Sequence, residues 1–346
     1  MNTAFLPQPS LRERHAGLWM LLRLALVLPW LVLQVLGRRL AGRLPRRWSL
    51  VFAVAVEVLR FLVGAMLAPL MRGQKLNLPS PPLRGRLGRT TLQRKGQLAG
   101  REVEWLEPTG SASRRGVLYL HGGAFVTGSI GTHRALMARL AHAADARVVG
   151  LDYRLAPEHR YPAGLEDCVA ACVGLLESGE VTENLIIAGD SAGGGLAIST
   201  LLSLRDRGLP LPAAAWLLSP AVDLADERAS WRENLPFDYL SPLAYHRDLF
   251  APTYLGEHGS PLDPLVSPVR ADLQGLPPLL IQVGEKEILR DQVVEFASQA
   301  RAAGVEVVLE VAADMVHVYP AFAGLTPQAD QAFEQAGGFM RARTTG

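Results

Sequence analysis

Hydrophobic positions from residue 102 onward form two alternating kinds of segment. Short apolar runs rich in Val, Ile and Leu predict buried β-strands, and longer stretches with apolar positions three and four residues apart predict helices. The predicted strands lie near 102–107, 117–120, 147–152, 184–188, 214–218, 279–283 and 305–311. The predicted helices lie near 132–144, 162–177, 192–207, 289–303 and 328–341. This alternation predicts an α/β fold with a mostly parallel sheet that helices cover on both faces.

The segment 224–262 interrupts this alternation and is rich in aromatic residues. Aromatic side chains in an insertion predict a small core of its own, and some of them are candidates for contact with a ligand pocket. We expect the segment to fold as a cap insertion on the α/β domain. Its aromatic residues are Trp231, Phe237, Tyr239, Tyr245, Phe250 and Tyr254.

Two long apolar runs, 16–36 and 48–71, precede the α/β pattern. Each is long enough to cross a bilayer, which takes about 20 residues. Residues 37–47 between them carry five arginines. Arginines beside apolar helices suit the head groups of anionic lipids. The sequence therefore predicts that residues 1–75 associate with a membrane, on a side that the sequence does not determine.

The two runs are compatible with a membrane-spanning hairpin or with a pair of helices lying in the membrane interface. Glu57 and Arg60 lie three residues apart and can pair on one helical face. Charges in the middle of a membrane are costly, so this pair favours an interfacial or partly buried helix over a simple span. Residues 76–101 are polar and rich in Pro and Gly, and we expect them to form a linker or lid hinge before an α/β domain at 102–346.

Composition narrows the functional classes. The formal net charge is +2 over 346 residues, which does not favour a nucleic-acid partner. Cys168 and Cys172 lie four residues apart on a predicted helix, a spacing that seldom fits disulfide geometry and predicts buried thiols. The sequence contains no metal-ligand spacing and no phosphate-binding glycine loop, so we expect neither a metal nor another cofactor. It does not determine the oligomeric state.

Residues 189–193, of sequence GDSAG, lie between a predicted strand and a predicted helix. A G-x-S-x-G pattern in this position is typical of the nucleophile elbow of a serine hydrolase. The tight turn lifts the serine hydroxyl out of the sheet, and the flanking glycines keep Cβ atoms out of the crowded turn. Ser191 is therefore the predicted nucleophile.

Residues 121–125, of sequence HGGAF, directly follow another predicted strand. Consecutive glycines at a strand end let the backbone approach a substrate and direct its amides at the negative charge that develops on a carbonyl oxygen. The N–H groups of Gly122 and Gly123, with that of Ala192 after the nucleophile, are the predicted oxyanion-hole donors. We expect His121 to shape this loop by hydrogen bonding rather than to take part in catalysis.

A nucleophilic serine needs a general base and a carboxylate that orients the base. In a chain with the order Ser, acid, His, the base lies C-terminal to Ser191, where His246, His258 and His317 are candidates. His317 follows the last predicted strand, at the strand end where such folds place their chemistry, and is the predicted base. His246 and His258 lie in the insertion, where a surface position is expected.

Three carboxylates compete for the role of the acid, because Glu285, Glu287 and Asp291 all follow the predicted strand 279–283. Each could instead be a solvated acidic residue at the start of a helix, where the helix dipole favours negative charge. These residues alone leave the acid open.

Together these motifs resemble the hormone-sensitive lipase family of α/β hydrolases, the bacterial family IV esterases. Its signature H-G-G-[GA]-[FW] matches residues 121–125, and its G-D-S-A-G matches 189–193. Similar family hallmarks occur at 152–159, 218–224 and 263–268, so that the resemblance covers roughly residues 85–340. It implies the α/β-hydrolase fold and a lid built from N-terminal helices, which adds a cap to the two arrangements considered for residues 1–75.

The resemblance also implies Ser191 as the nucleophile and His317 as the base. The family's acid is usually the first Asp of G-x-x-D-x-L-R-D, a position that Glu287 occupies here, and Asp291 is the alternative. Ala124 replaces the third glycine of the oxyanion loop. These matches imply a serine carboxylesterase or lipase that hydrolyses small-molecule carboxylic esters through an acyl-enzyme and needs no cofactor. The apolar N-terminus suggests that these esters are lipophilic.

Two other functions are compatible with the same residues. A membrane-anchored acyltransferase would use the same Ser, His and acid with another alcohol as acceptor. A non-catalytic ligand receptor with this fold would typically have lost a member of the triad, whereas Ser191 and His317 are both present.

Overall fold

An eight-stranded sheet lies at the centre of the computed structural model, which describes residues 11–71, 78, 80–178, 185–244, 247–257 and 259–345. The strands are β1 Thr91–Leu98, β2 Arg101–Pro108, β3 Gly116–Leu120, β4 Arg147–Leu151, β5 Leu185–Asp190, β6 Ala214–Leu218, β7 Leu279–Gly284 and β8 Val307–Ala312. The helices are α1 Leu11–Leu40, α2 Leu50–Met71, α3 Gly85–Thr90, α4 Ile130–Ala144, α5 Ala163–Glu177, α6 Ala192–Asp206, α7 Ser230–Glu233, α8 Ser241–Ala244, α9 Arg247–Leu255, α10 Arg290–Ala302 and α11 Pro327–Arg341.

The strand order is β1-β2-β4-β3-β5-β6-β7-β8. The pairs β1–β2 and β2–β4 are antiparallel, and the other five pairs are parallel. Every residue of β3, β5, β6 and β7 is buried, as continuous apolar strands covered on both faces should be. This confirms the predicted α/β fold and brings the carboxyl ends of β3, β5 and β7 to one edge of the sheet.

Two hydrophobic clusters cover the two faces of this sheet. Side chains of α5, α6 and α10 pack on one face, and those of α4 and α11 pack on the other. The two cysteines, Cys168 and Cys172, are free thiols buried in the first cluster, as predicted from their spacing on α5.

The predicted linker or lid hinge at 76–101 is wrong, and so is the start of the α/β domain at residue 102. These residues include α3 and β1, and β1 pairs along its whole length with β2. A tight hairpin joins the two strands at Ala99 and Gly100, which have φ values of 49° and 76°. Because β1 is an edge strand with mostly exposed polar side chains, it lacks the apolar pattern that identified the other strands.

The N-terminal helices pack on the α/β domain through an aromatic contact. The Trp48 ring meets Phe52 edge-on at 5.0 Å, and Phe52 meets Phe322 in the same way at 5.0 Å. The indole Nε1 of Trp48 also donates to the carbonyl oxygen of Asp314 at 2.5 Å. Met315, like Phe322, belongs to the buried cluster at this contact. The helices thus lie against the part of the chain that carries His317, in the position of a cap.

The insertion at 224–262 contributes α7, α8 and α9 to the same side of the molecule. Trp231 and Tyr239 line the cavity described below, whereas Tyr254 stacks on Phe125 at 4.0 Å between ring centroids. Phe237 packs on the buried cluster that contains Trp48 and Phe52. Tyr245 and the side chain of Phe250 lie outside the described residues.

We expect Phe52→Ala to lower the free energy of unfolding by about 3–5 kcal/mol, because it leaves a cavity in a fully buried aromatic contact. Leu33→Ala is the matched control, since Leu33 on α1 is 66% exposed and its loss should change stability by less than about 0.5 kcal/mol. Urea unfolding followed by tryptophan fluorescence measures both. Equal losses in the two variants would contradict this packing of the N-terminal helices.

Candidate active site

Ser191 occupies a strained turn between β5 and α6. Its backbone has φ 53° and ψ −122°, a conformation that L-residues rarely adopt. Hydrogen bonds hold the turn in place: its N–H donates to the Leu218 carbonyl at 2.8 Å, and its own carbonyl accepts from Ala221 N at 2.9 Å. Strain that the surrounding structure sustains in this way is typical of functional sites.

The two glycines of the pentapeptide are required by close backbone approach. A Cβ atom on Gly193 would collide with the carbonyl oxygen of Leu120, at the end of β3. A Cβ atom on Gly189 would lie 2.5 Å from the carbonyl oxygen of Gly193 itself. The structure thus shows the crowding in this turn that the sequence pattern predicted.

His317 and Glu287 form a buried pair beside this turn. The Nδ1 atom of His317 lies 2.6 Å from Oε2 of Glu287. Glu287 has no exposed surface and His317 is 2% exposed. The second carboxylate oxygen of Glu287 accepts a hydrogen bond from Gly284 N at 2.6 Å. Although burial alone would lower the pKa of His317, the adjacent Glu287 carboxylate raises it above the ordinary value.

The other two candidate acids have different partners. Asp291 accepts from Ser230 N and from Arg290 Nε, each at 2.8 Å. Glu285 pairs with Lys286 at 2.9 Å and caps the backbone N–H of Asp314. Of the three carboxylates, the structure brings Glu287 to the imidazole, which agrees with the position implied by the resemblance.

The oxyanion loop, residues 121–125, differs from the prediction in the role of the Gly122 amide. Its backbone N–H donates to Oδ1 of Asp190 at 3.0 Å, and because an amide has one hydrogen, it is not available to a substrate oxygen. Among the described residues, the amides of Gly123, Ala124 and Ala192 have no hydrogen-bond acceptor. All three residues line the cavity above Ser191, so that Ala124 replaces Gly122 among the candidate donors.

A buried polar network behind the loop explains why Gly122 is engaged. Asp190 accepts from Tyr119 Oη at 2.6 Å and lies 3.2 Å from His133 Nε2. Burial would raise the pKa of Asp190, but these partners lower it to about 2, so the carboxylate stays charged. His133 and Tyr119 gave no signal in the sequence, because each belongs to a local helix or strand pattern and meets Asp190 only in the fold.

His121 has the loop-shaping position predicted for it. Its Nδ1 lies 2.9 Å from the Gly122 carbonyl, and its ring stacks on Tyr153 with centroids 4.4 Å apart. Burial, with the nearby His133, lowers the pKa of His121 to about 4, so the ring is neutral near pH 7. The alternative bases His246 and His258 lie outside the described residues.

A cavity of about 440 Å³ opens over Ser191, and His317 also lines it. Helix α2 forms one wall with Leu59, Val63 and Met66, and the insertion adds Trp231, Tyr239 and Leu240. The lining is mainly apolar around a few polar groups, which is the character of a site for a small organic ligand. Within the described ranges, no group of three or more His, Cys, Asp or Glu residues could hold a metal ion.

The chain is similar to known proteins over most of the α/β domain. Residues 117–321 match a family described as having the alpha/beta hydrolase fold. An acetyl-hydrolase of Streptomyces hygroscopicus is 44% identical over 242 residues, which are 70% of this chain and 80% of that protein. An esterase of Acinetobacter venetianus is 38% identical over 236 residues, covering 68% of this chain and 77% of that protein.

Solved structures agree with these relatives. An esterase of the bacterial hormone-sensitive lipase family is 36% identical, with a TM-score of 0.71, over 91% of this chain and 97% of that chain. The crystal structure of EstE5, soaked with p-nitrophenyl butyrate, is 37% identical with a TM-score of 0.71 over 81% of this chain and 98% of that chain.

Replacing the two acids separately tests the assignment of Glu287. We expect Glu287→Gln to lower kcat for a p-nitrophenyl ester by about two to four orders of magnitude, because the amide no longer holds and stabilises the charged imidazole. Asp291→Asn, which removes a carboxylate bonded to Arg290 and Ser230, should retain most of the rate. The assignment fails if the Asp291 variant is inactive and the Glu287 variant is not.

Proposed function

The chain belongs to the hormone-sensitive lipase family of α/β hydrolases and is a carboxylic ester hydrolase, and we propose that it cleaves lipophilic esters through an acyl-enzyme on Ser191. The observation that carries this proposal is the buried contact of 2.6 Å between Glu287 and His317, at the edge of a cavity that Ser191 also lines. The esterase relatives favour hydrolysis over acyl transfer to another alcohol and over ligand reception.

The first half of the reaction forms an ester on Ser191. Nε2 of His317 takes the hydroxyl proton as Oγ attacks the carbonyl carbon, and Glu287 holds the imidazolium through Nδ1. The tetrahedral oxyanion lies between the amides of Gly123, Ala124 and Ala192. As the tetrahedral intermediate collapses, the bond to the alcohol oxygen breaks and His317 returns the proton to that leaving group.

The second half releases the acid. A water molecule gives a proton to the neutral imidazole and attacks the acyl carbon, forming a second tetrahedral oxyanion at the same amides. Collapse breaks the bond to Oγ of Ser191, which recovers its proton from His317. The carboxylic acid leaves, and every group of the triad is restored without a cofactor.

The character of the cavity supports a lipophilic substrate. Leu59, Val63 and Met66 face the reacting serine from α2, so an apolar acyl or alcohol group would lose its contact with water there. A volume of about 440 Å³ lies within the range of pockets that hold small organic molecules. We therefore propose small, lipophilic carboxylic esters as the substrate class.

We further propose that α1 and the following loop attach the enzyme to an anionic lipid surface. One stripe of α1 is apolar and exposed: Leu26 is 81%, Trp30 is 55% and Leu33 is 66% accessible, at helical spacings of four and three residues. The opposite face of the helix packs Leu31 and Val35 against protein. A second apolar face on a helix that already has its core contact supports insertion into a lipid interface.

The charge around this stripe supports anionic lipid as the partner. Arg39, Arg43, Arg46 and Arg47 are all exposed, in or just after the last turn of α1. Each arginine near an anionic surface contributes about 1 kcal/mol of attraction. An apolar stripe that ends in four exposed arginines therefore suits a membrane rich in anionic head groups.

Helix α2 has the length and composition of a membrane span but also has protein partners. Its 18-residue stretch Leu50–Leu67 has a mean hydropathy of 2.3, and 28% of it is buried inside the protein. Phe52 and Val56 on α2 pack in the aromatic cluster, and Leu59 and Val63 line the cavity. These contacts support an interfacial arrangement over a span, since a span would withdraw α2 from the site.

The Ser191→Ala variant tests the catalytic proposal. We expect its rate with p-nitrophenyl esters to fall by several orders of magnitude while its thermal unfolding stays close to that of the wild type, because the hydroxyl makes the bond and does not support the fold. Near-normal turnover by the Ser191 variant would exclude the mechanism.

Val63→Phe tests the cavity wall formed by α2. It should slow the hydrolysis of esters with long acyl chains more than that of acetate esters, since the larger side chain narrows the cavity.

Vesicle co-sedimentation tests the membrane proposal. The protein should bind vesicles of phosphatidylglycerol more tightly than vesicles of phosphatidylcholine, and Arg43→Gln with Arg46→Gln should weaken binding by on the order of tenfold. Trp30→Ser should weaken it as well, whereas Leu262→Ser, at a residue 54% exposed in the cap insertion, is the matched control. Equal binding by the Trp30 and Leu262 variants would contradict an attachment through α1.

A further inference from the structure

A cluster of three charged residues joins α1 and α2 to the cap insertion. The carboxylate of Glu57, 7% exposed on α2, pairs with Arg38 of α1 and with Arg60 one turn further along α2, at 3.0 Å for the second pair. Both arginines also reach the insertion. Arg38 donates to the carbonyl of Pro236 at 2.6 Å, and Arg60 donates to the carbonyls of Pro236 and Asp238 at 3.0 and 3.2 Å.

The turn held by these arginines carries a buried carboxylate. Asp238 has no exposed surface. One of its oxygens accepts from Leu240 N at 2.9 Å, and the other accepts from Ile288 N at 2.7 Å. Because Ile288 directly follows Glu287, the second bond fixes the backbone next to the acid that holds His317.

Two more side chains of the insertion hold the same backbone. The side-chain amide of Asn234 donates to the carbonyls of Glu285 and Glu287 at 3.1 and 2.8 Å, and Ser230 Oγ donates to the carbonyl of Ile288 at 2.8 Å. Together with Asp238, these two residues recur at intervals of four in the sequence. All three side chains bond to main-chain groups between Glu285 and Ile288.

The groups that face Asp238 connect it to the triad electrostatically. Glu287 acts on it from the loop after β7, His317 from the loop after β8, and Arg60 from α2. His317 in turn faces Glu287, Asp238 and Asp190, and the Tyr239 ring lies 6.0 Å from the imidazole. Burial raises the pKa of Asp238 to about 6, with Glu287 adding to the effect and His317 opposing it.

We propose that Asp238 is a positioning residue for the Glu287–His317 pair, and that Arg60 and its partners on the N-terminal helices hold Asp238 in place. This inference rests on the proposed triad. The N-terminal helices thus act on the base as well as covering the cavity, and a disturbance of α2 reaches the imidazole through one turn of the insertion.

The pH dependence of kcat/KM distinguishes this role from a purely structural one. The base works in its neutral form, so the rate falls as pH drops through the pKa of His317, and nearby anions raise that pKa. Asp238→Asn removes one anion and should move the acidic limb to lower pH by roughly half a unit to one unit. A residue that only stabilises the fold would change the amount of active enzyme and leave the limb where it is.

All of these rates should be expressed per active serine, titrated with a p-nitrophenyl phosphonate that releases p-nitrophenolate when it reacts.

Arg60→Gln should lower kcat on the order of tenfold with a smaller change in KM, because the loop that carries Glu287 loses its alignment. The double variant with Asp238→Asn should be no slower than Asp238→Asn alone, since Arg60 acts on Glu287 through the turn that the Asp238 carboxylate connects to Ile288.

Arg205→Gln is the matched control, because Arg205 also clamps two carbonyls of a loop, those of Asp272 and Gln274, each at 2.7 Å. This variant should keep the wild-type kcat and acidic limb. An unshifted limb in a folded Asp238→Asn variant overturns the proposal. If that variant does not fold, the proposal fails when Arg60→Gln and Arg205→Gln have equal kcat values. Failure of the triad itself would show separately, as turnover by Ser191→Ala.

Discussion

The buried pair of Glu287 and His317 is the interaction on which the rest of the site depends. A carboxylate without exposed surface is costly unless its oxygens are bonded, and both oxygens of Glu287 have partners, Gly284 N and His317 Nδ1. Such a pair persists only where the surrounding backbone is fixed. This requirement explains why Asn234 of the insertion donates to the main-chain carbonyl of Glu287 itself. The insertion therefore closes the cavity and also supports the base.

The nucleophile and the oxyanion loop are held by a second buried carboxylate. Asp190, inside the signature pentapeptide, binds Gly122 N and the Tyr119 hydroxyl, which belong to the end of β3 and the loop after it. Because Asp190 directly precedes Ser191, one side chain sets the distance between the nucleophile and the loop that carries Gly123. Preorganised amides of this kind stabilise the oxyanion without rearrangement during the reaction.

The N-terminal segment presents three surfaces, two in contact with protein or the cavity and one exposed. Trp48 and Phe52 pack on the α/β domain, Leu59 and Val63 line the cavity, and Leu26 with Trp30 remains exposed. The two roles predicted for this segment from the sequence, a lid over the site and a contact with a membrane, are therefore compatible in one arrangement. If lipid binds the exposed stripe, the helix pair that it holds is the one whose Arg60 contacts the turn of Asp238.

Local patterns were sufficient for much of this protein. Continuous apolar strands identified every central strand of the sheet, and the glycines around Ser191 identified the elbow, because burial on both faces and a tight turn each restrict residues that are adjacent in the chain. The pattern failed at β1, since an exposed edge strand can be polar along its whole length. It also failed at Gly122, whose amide is engaged by a residue from a different strand.

Tertiary structure decided the contacts between distant segments. Glu285, Glu287 and Asp291 are equivalent in the sequence as carboxylates that follow one strand. In the structure Glu287 meets His317, while Ser230 engages Asp291. The role of Asp238 is also absent from any local pattern, since its partners come from α2 and the β7 loop. The sequence by itself determined the fold class and predicted the nucleophile and the base, because these follow from order and periodicity along the chain. The acid's surroundings, the oxyanion donors and the link to the N-terminal helices required the fold, because hydrogen bonds between remote segments depend on distances that spacing in the sequence does not contain.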